Sequence, residues 1–208
     1  MELGILVLAG GNSERLGENK ALYKINETPL IEFVVNRVSE LDKGIIISCK
    51  ERKEELEKLF PKHKIIEDKL EKEGPLTGLL TALPHVKSEY VAIVTCDCPK
   101  IKPDVIKRLA EEAQNADGSV PKWPNGYIEP LQAVYDTSKL AEATDKVWKK
   151  GNMKVSEALE RLQINYISTE KLKSIDPTLE SFLNLNHEED ILKIKNNFSF
   201  LTLKIYQD

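Results

Sequence analysis

Leu3-Gly4-Ile5-Leu6-Val7-Leu8-Ala9-Gly10-Gly11-Asn12-Ser13-Glu14-Arg15-Leu16-Gly17-Glu18-Asn19-Lys20 is the stretch around which the rest of the chain is arranged. Its aliphatic start reads as a buried first strand, and Gly10-Gly11 lets the backbone turn and approach a ligand with no Cβ in the way. Arg15 and Lys20 then supply fixed cations, while Asn12 and Ser13 offer hydrogen bonds to phosphate oxygens or cap a turn. Anion binding is the natural reading. The loop is not a P-loop, because Asn19 precedes Lys20 and Ala21 follows it where Gly and Ser/Thr are required. Nor is it a dinucleotide fingerprint, because Gly10, Gly11 and Gly17 miss the G-x-G-x-x-G spacing.

Outward from that loop, short aliphatic runs alternate with amphipathic segments. Ile45-Ile46-Ile47-Ser48-Cys49, Lys64-Ile65-Ile66-Glu67 and Tyr90-Val91-Ala92-Ile93-Val94-Thr95-Cys96 read as strands. Thr28 with Pro29 predicts the start of a helix whose apolar face runs from Leu30 to Leu41. Further helices are expected over Glu51 to Phe60, within Glu73 to Pro84 after an opening turn, where Gly78 and Ala82 permit close packing, and over Pro103 to Gln114. Two strands are expected around the loop Lys122 to Tyr127, followed by a helix that Thr137 caps and that runs to about Lys149, a helix from Lys154 to Arg161, a strand at Ile164 to Ile167, and a helix from His187. Such alternation predicts an α/β fold with a largely parallel sheet covered on both faces, whose ligand lies beyond the carboxyl ends of the strands. Gly10, Asp68 and Asp97 all fall at such ends.

Composition narrows the class. The 208 residues are enough for one well-buried domain, and no repeat or low-complexity linker divides them, so a single domain over 1–208 is expected, with 196–208 a tail of unassigned role. Thirty basic residues against 34 acidic give a net charge of -4, which excludes a global field for nucleic acid. No apolar run reaches membrane-span length and no signal core is present, so a cytoplasmic location is expected. Cys49, Cys96 and Cys98 read as reduced thiols, and His63, His85 and His187 lack metal-ligand spacing.

Asp97, closing the strongest strand, is suited to hold Mg²⁺, which takes one or two carboxylates and completes its shell with water and substrate phosphates. With that ion and Lys20 neutralising a triphosphate, and Arg15 with the loop backbone positioning pyrophosphate, the parts suit nucleotidyl transfer. Such catalysis is mostly positioning and electrostatics. A phosphate-monoester acceptor is already ionised, so no general base is needed, in keeping with the scattered histidines.

The loop from Leu8 to Lys20 resembles the signature L-A-G-G-x-S-x-R-x-G-x-x-K of the molybdenum cofactor guanylyltransferases, at every fixed position. Asp68 followed by Gly74-Pro75-Leu76-Thr77-Gly78-Leu79 resembles their D…GPLxGL segment, and Asp97 falls on their C-D-x-P aspartate. Glu129-Pro130-Leu131 and the run from Phe182 to Asp190 resemble segments near the pterin substrate. The resemblance covers positions 3 to about 195.

What it implies is a Rossmann-like nucleotidyltransferase fold, three α/β/α layers around a mostly parallel mixed sheet. It implies GTP binding by Leu8, Ala9, Gly10, Gly11, Ser13 and Lys20, guanosine contact by Asp68, and Mg²⁺ and nucleotide binding by Asp97, with Arg15, Lys20 and Asp97 catalytic. The reaction implied is transfer of GMP from MgGTP to the terminal phosphate of Mo-molybdopterin. Molybdoenzyme-specific chaperones or other cofactor-synthesis proteins are further partners it admits; nucleic acid and membrane are not. The chain departs from the family at Ser48-Cys49, where members often carry Asn, and at Cys98 and His187. Two rivals remain: a related enzyme using CTP or another phosphate-bearing acceptor, and a GTP-binding module without turnover.

Overall fold

In the computed structural model residues 2–10, 19–41, 44–185 and 190 are described. The expectations for Gly11, Ser13 and Arg15, for the helix from His187 apart from Asp190, and for the C-terminal tail lie outside these residues.

The elements are β1 (Leu3–Leu8), the short strands β2 (Lys24–Ile25) and β3 (Thr28–Pro29), α1 (Leu30–Val38), β4 (Ile46–Cys49), α2 (Lys53–Leu59), β5 (Lys64–Glu67), α3 (Pro75–Ala82) and β6 (Tyr90–Thr95). They continue as α4 (Pro103–Ala113), β7 (Gly118–Lys122), β8 (Ala133–Asp136), α5 (Thr137–Lys149), α6 (Val155–Leu159), β9 (Ile164–Ser168) and α7 (Thr169–Leu172). The main sheet has seven strands in the order β5-β4-β1-β6-β8-β7-β9. Only β8 runs against the others, antiparallel to both β6 and β7. The α/β reading of the sequence therefore holds, with the sheet mostly parallel and mixed.

Strand alternation divides the core between two faces. Ile5, Val7 and Ala9 pack with Val34 and Val38 of α1, Leu56 of α2, Leu109 of α4 and Leu172 of α7. Leu6 and Leu8 point the other way, toward Leu76 and Leu79 of α3, Leu140 of α5 and Ala158 of α6. Three layers result, with β1 buried from Gly4 to Leu8.

Two local readings are corrected. Thr28 and Pro29 do not begin a helix with a side-chain cap; they pair with Lys24–Ile25 in a small hairpin, and α1 starts at Leu30. Asn26 and Glu27 form the turn with φ of 48° and 68°, the left-handed geometry that a two-residue hairpin connection demands. Asp136, and not Thr137, caps α5, its side chain accepting from the Lys139 amide at 2.9 Å.

The register aligns the strand ends. Leu8 lies opposite Ser48 on one side and Thr95 on the other, and Cys49 lies opposite Glu67. The ladders run on one residue further, with Ala9 N–H donating to Ser48 O at 2.7 Å, Cys96 N–H to Leu8 O at 3.1 Å and Asp68 N–H to Cys49 O at 2.7 Å. Gly10, Asp68 and Asp97 thus emerge on one crest.

Candidate active site

Lys20 begins a short 3-10 turn, Lys20–Leu22, that Asn19 stabilises by accepting the Ala21 amide at 3.1 Å. The turn carries the Lys20 ammonium to the end of β6, where Nζ lies 2.8 Å from Asp97 Oδ2. Both side chains are largely buried, so the pair is shielded but keeps an opening to solvent.

Asp97 is held from several sides. Its Oδ1 accepts a short hydrogen bond from the Thr95 hydroxyl, and Gln132 Nε2 donates to Thr95 Oγ1 at 2.7 Å. Its backbone carbonyl accepts from the Leu185 amide at 2.9 Å. Beside it, Cys98 Sγ lies 2.8 Å from Asn184 Oδ1 and donates its thiol proton there. Cys49, Cys96 and Cys98 are free and buried, as their sequence positions implied. Burial, and next the Asp97 charge, push the Cys96 thiol up to about 12 and Cys98 well above its usual value, so neither is a nucleophile at neutral pH.

Leu8, Ala9, Gly10 and Asp68, the other expected residues among those described, line the same crest. Leu8 and Ala9 are buried and shape it from below, whereas Gly10 is exposed. A Cβ on Gly10 would meet, among the described residues, only the Lys50 amide nitrogen at 4.0 Å. Crowding by that neighbour therefore does not require glycine there, and among the described residues the crest is open above it. Asp68 is buried at 5% exposure, its Oδ1 accepting from the Leu70 amide at 2.9 Å in a turn that Lys50 Nζ also joins by donating to Leu70 O. From β5 to β6 the crest spans three strand spacings, about 14 Å, the scale of an extended nucleotide and not of a single phosphate. Ser48 is tucked under α3, its hydroxyl 3.3 Å from Gly78 O, so its side chain serves packing at that strand end.

Over the β8 side stands the loop from Lys122 to Gln132. Trp123 Nε1 donates to Glu129 Oε1 at 2.7 Å, and the Trp123 ring meets Phe182 edge-on. Burial raises the Glu129 carboxyl against the opposing effect of the Trp123 bond, and the Asp97 charge raises it further. The roles of Thr95, Gln132 and Asn184 in this network were not read from the sequence. One signal was present: Gln132 is a polar residue inside the otherwise apolar run Leu131-Gln132-Ala133-Val134.

No three carboxylate, cysteine or histidine side chains cluster as a metal cage among the described residues. Asp97 as a lone carboxylate still fits Mg²⁺, which is satisfied by one or two carboxylates when substrate phosphates and water complete its shell.

A cation and a carboxylate at the end of a central parallel strand, on the crest that carries Gly10 and within one nucleotide's length of a second buried aspartate, suit an enzyme that moves a nucleotidyl group. Known proteins of that class share this chain's sequence and shape. The model of the MobA-like NTP transferase domain matches residues 5–163, and the chain belongs to that family of nucleotidyltransferases. The probable molybdenum cofactor guanylyltransferase of Thermococcus sibiricus is 36% identical over 91% of the chain and 96% of its own length. Its counterpart from Pyrococcus horikoshii is 36% identical over 92% of the chain and 98% of its own. Among solved structures, molybdopterin-guanine dinucleotide biosynthesis protein A from Archaeoglobus fulgidus superposes with a TM-score of 0.79 at 30% identity, covering 94% of this chain and 98% of that one. The 2-C-methyl-D-erythritol 4-phosphate cytidylyltransferase of Thermus thermophilus shares the fold at a TM-score of 0.69 and 14% identity, with 95% of this chain and 98% of that chain covered.

Proposed function

We propose that the chain transfers GMP from MgGTP to the terminal phosphate of molybdenum-bound molybdopterin, yielding the guanine dinucleotide form of the cofactor and pyrophosphate. The observation that carries the reading is Lys20 Nζ at 2.8 Å from Asp97 Oδ2 on the crest that begins at Gly10. It is supported by full-length relatives named as guanylyltransferases.

In this reading Asp97 holds Mg²⁺, which when bound neutralises charge on the triphosphate. Lys20 swings its ammonium from the aspartate onto phosphate oxygens, so one cation serves as a placeholder before binding and as a ligand afterwards. The loop backbone at Gly10 and Gly11, with Ser13 and Arg15, orients the departing pyrophosphate. Asp68 accepts from the guanosine portion at the far end of the crest. The acceptor's phosphate oxygen attacks the α-phosphorus, and the bond to the bridging oxygen of pyrophosphate breaks as the new phosphoanhydride forms.

No protein base has to remove a proton, because the attacking oxygen is already anionic. His85, with Nδ1 3.0 Å from Lys64 Nζ, stands at the start of β5 and so at the amino end of the strands, away from the crest, and His63 immediately precedes Lys64. The Lys122 to Gln132 loop, bearing Trp123 and Glu129, overhangs the side from which the acceptor would approach. No described helix is long and apolar enough to cross a membrane, and we place the reaction in the cytoplasm.

The decisive measurement is calorimetric binding of GTP, CTP and ATP with Mg²⁺ and with EDTA. Tight, magnesium-dependent and GTP-selective binding is expected. A preference for CTP would transfer the reading to a cytidylyl enzyme, and absence of nucleotide binding would reject it.

A further inference from the structure

We propose that Gln132 is a positioning residue that fixes the Asp97 carboxylate through the Thr95 hydroxyl, and so sets how tightly the site holds a metal-bound nucleotide. The inference rests on Asp97 as the metal-binding residue and extends that reading into the protein behind it.

The direction of each hydrogen bond follows from chemistry. An ionised carboxylate only accepts, so the single hydroxyl proton of Thr95 must go to Asp97 Oδ1. Thr95 Oγ1 then has only lone pairs to offer Gln132, which must present its NH₂ group at 2.7 Å. That fixes the amide orientation. It also strands the other end: Gln132 is only 4% exposed, and its Oε1 is buried without a hydrogen-bond partner among the described residues.

A buried acceptor with no donor opposes folding, and an apolar side chain of the same length would avoid it. The fold therefore gives no reason for glutamine at this position. The carboxylate does. Thr95 Oγ1 also lies 3.7 Å from Cys98 Sγ, an alternative acceptor toward which an unconstrained hydroxyl could turn. With its lone pair engaged by Gln132, the hydroxyl is aimed at Asp97. Ala133 and Ile93 are the last register pair of the antiparallel β6 and β8, so Gln132 lies just before β8, near the end of β6, and its side chain reaches Thr95 from there. Partners one step behind a metal ligand orient it and influence affinity for the ion.

The test compares Gln132→Met with the unaltered protein by calorimetry of GTP binding in Mg²⁺ and in EDTA, by the thermal midpoint, and by turnover. We expect MgGTP affinity or turnover to fall about 10- to 100-fold, GTP binding in EDTA to stay unchanged, and the midpoint to stay level or rise. Gln132→Glu, which puts an acceptor where Thr95 needs a donor, should be worse than Gln132→Met. In a Thr95→Val background, which has already lost the hydroxyl, adding Gln132→Met should change MgGTP affinity by less than about twofold. Unaltered MgGTP affinity and turnover in Gln132→Met would overturn the proposal, as would an equal loss in EDTA or a full additional loss in the Thr95→Val background. If the unaltered protein itself binds GTP equally with and without Mg²⁺, the metal reading of Asp97 fails and the proposal falls with it. Magnesium-dependent binding in the unaltered protein together with an unaffected Gln132→Met overturns the proposal alone.

Discussion

Lys20 and Asp97 are separated by 77 positions in sequence and by 2.8 Å at their charged atoms. Each was legible for a local reason, one as the last fixed position of a glycine loop and the other as an acidic residue closing an aliphatic run. Their pairing is tertiary and was not legible, and the same holds for Thr95 and Gln132, which sit in segments that read simply as strand. Both side chains are mostly buried, so removing the ammonium leaves the Asp97 carboxylate short of a donor and should cost about 1–3 kcal/mol. Lys20→Ala is expected to lower turnover by about 10²- to 10³-fold, far more than a modest fall in the thermal midpoint would explain. Steady-state pyrophosphate release alongside a thermal melt checks this, and near-normal turnover would remove Lys20 from the chemistry. Asp68 needs a finer substitution, because its Oδ1 also holds the Leu70 amide. Asp68→Asn keeps that acceptor and removes the charge, so a weaker GTP affinity in this variant reports nucleotide contact and not collapse of the turn.

At the level of elements, β1, β4 and β6 declared themselves as unbroken aliphatic runs, the pattern that strands buried on both faces must have. The direction of β8 was not so declared. Ala133 to Asp136 has the composition of any short buried strand, and its reversal follows from the path of the chain out of β7 and not from its residues. Small residues mark where elements touch. A Cβ on Gly78 would come 3.1 Å from Ser48 Oγ and 3.3 Å from Leu8 Cδ2, so α3 lies close against β1 and β4 because residue 78 has no side chain. The tightest such site is Gly118 at the start of β7, where a Cβ would meet the Tyr135 ring at 2.6 Å and Val134 O at 2.9 Å. Tyr135 is buried, its hydroxyl donating to Pro130 O at 2.7 Å, so it cannot easily retreat. Gly118→Ala should accordingly destabilise by about 1–3 kcal/mol through overpacking, read as a lower urea midpoint with unchanged slope. An unshifted midpoint would mean that β7 and β8 separate without cost.

Across the whole molecule, the segment from Asp176 to Leu185 returns to brace the loop that carries Asp97. Lys102 Nζ pairs with the fully buried Asp176 at 2.8 Å, Lys100 Nζ with Glu180 at 2.5 Å, and the Lys102 amide donates to Ser181 Oγ at 3.0 Å. The Leu185 amide ends the brace on the Asp97 carbonyl. Nothing local in the sequence signals this, because the partners lie some eighty positions apart and each reads alone as a surface charge. Burial by itself would raise the Asp176 carboxyl, but the Lys102 ammonium and the Ser181 amide and hydroxyl outweigh it and hold the group below its usual 3.8. The sign of the linkage follows: a carboxyl depressed in the folded state contributes stability that is full above its unfolded value and is lost as pH falls through the folded one. Lys102→Met removes the largest of the opposing contributions and leaves a buried carboxylate with the Ser181 amide and hydroxyl as its donors and no cation beside it. It should lose about 2 kcal/mol at neutral pH and begin acid unfolding at a higher pH than the unaltered protein. Thermal midpoints measured from neutral to acid pH decide it: parallel curves offset by a constant would show that Lys102 supports packing alone, whereas curves that converge toward low pH carry the signature of the lost pairing with Asp176.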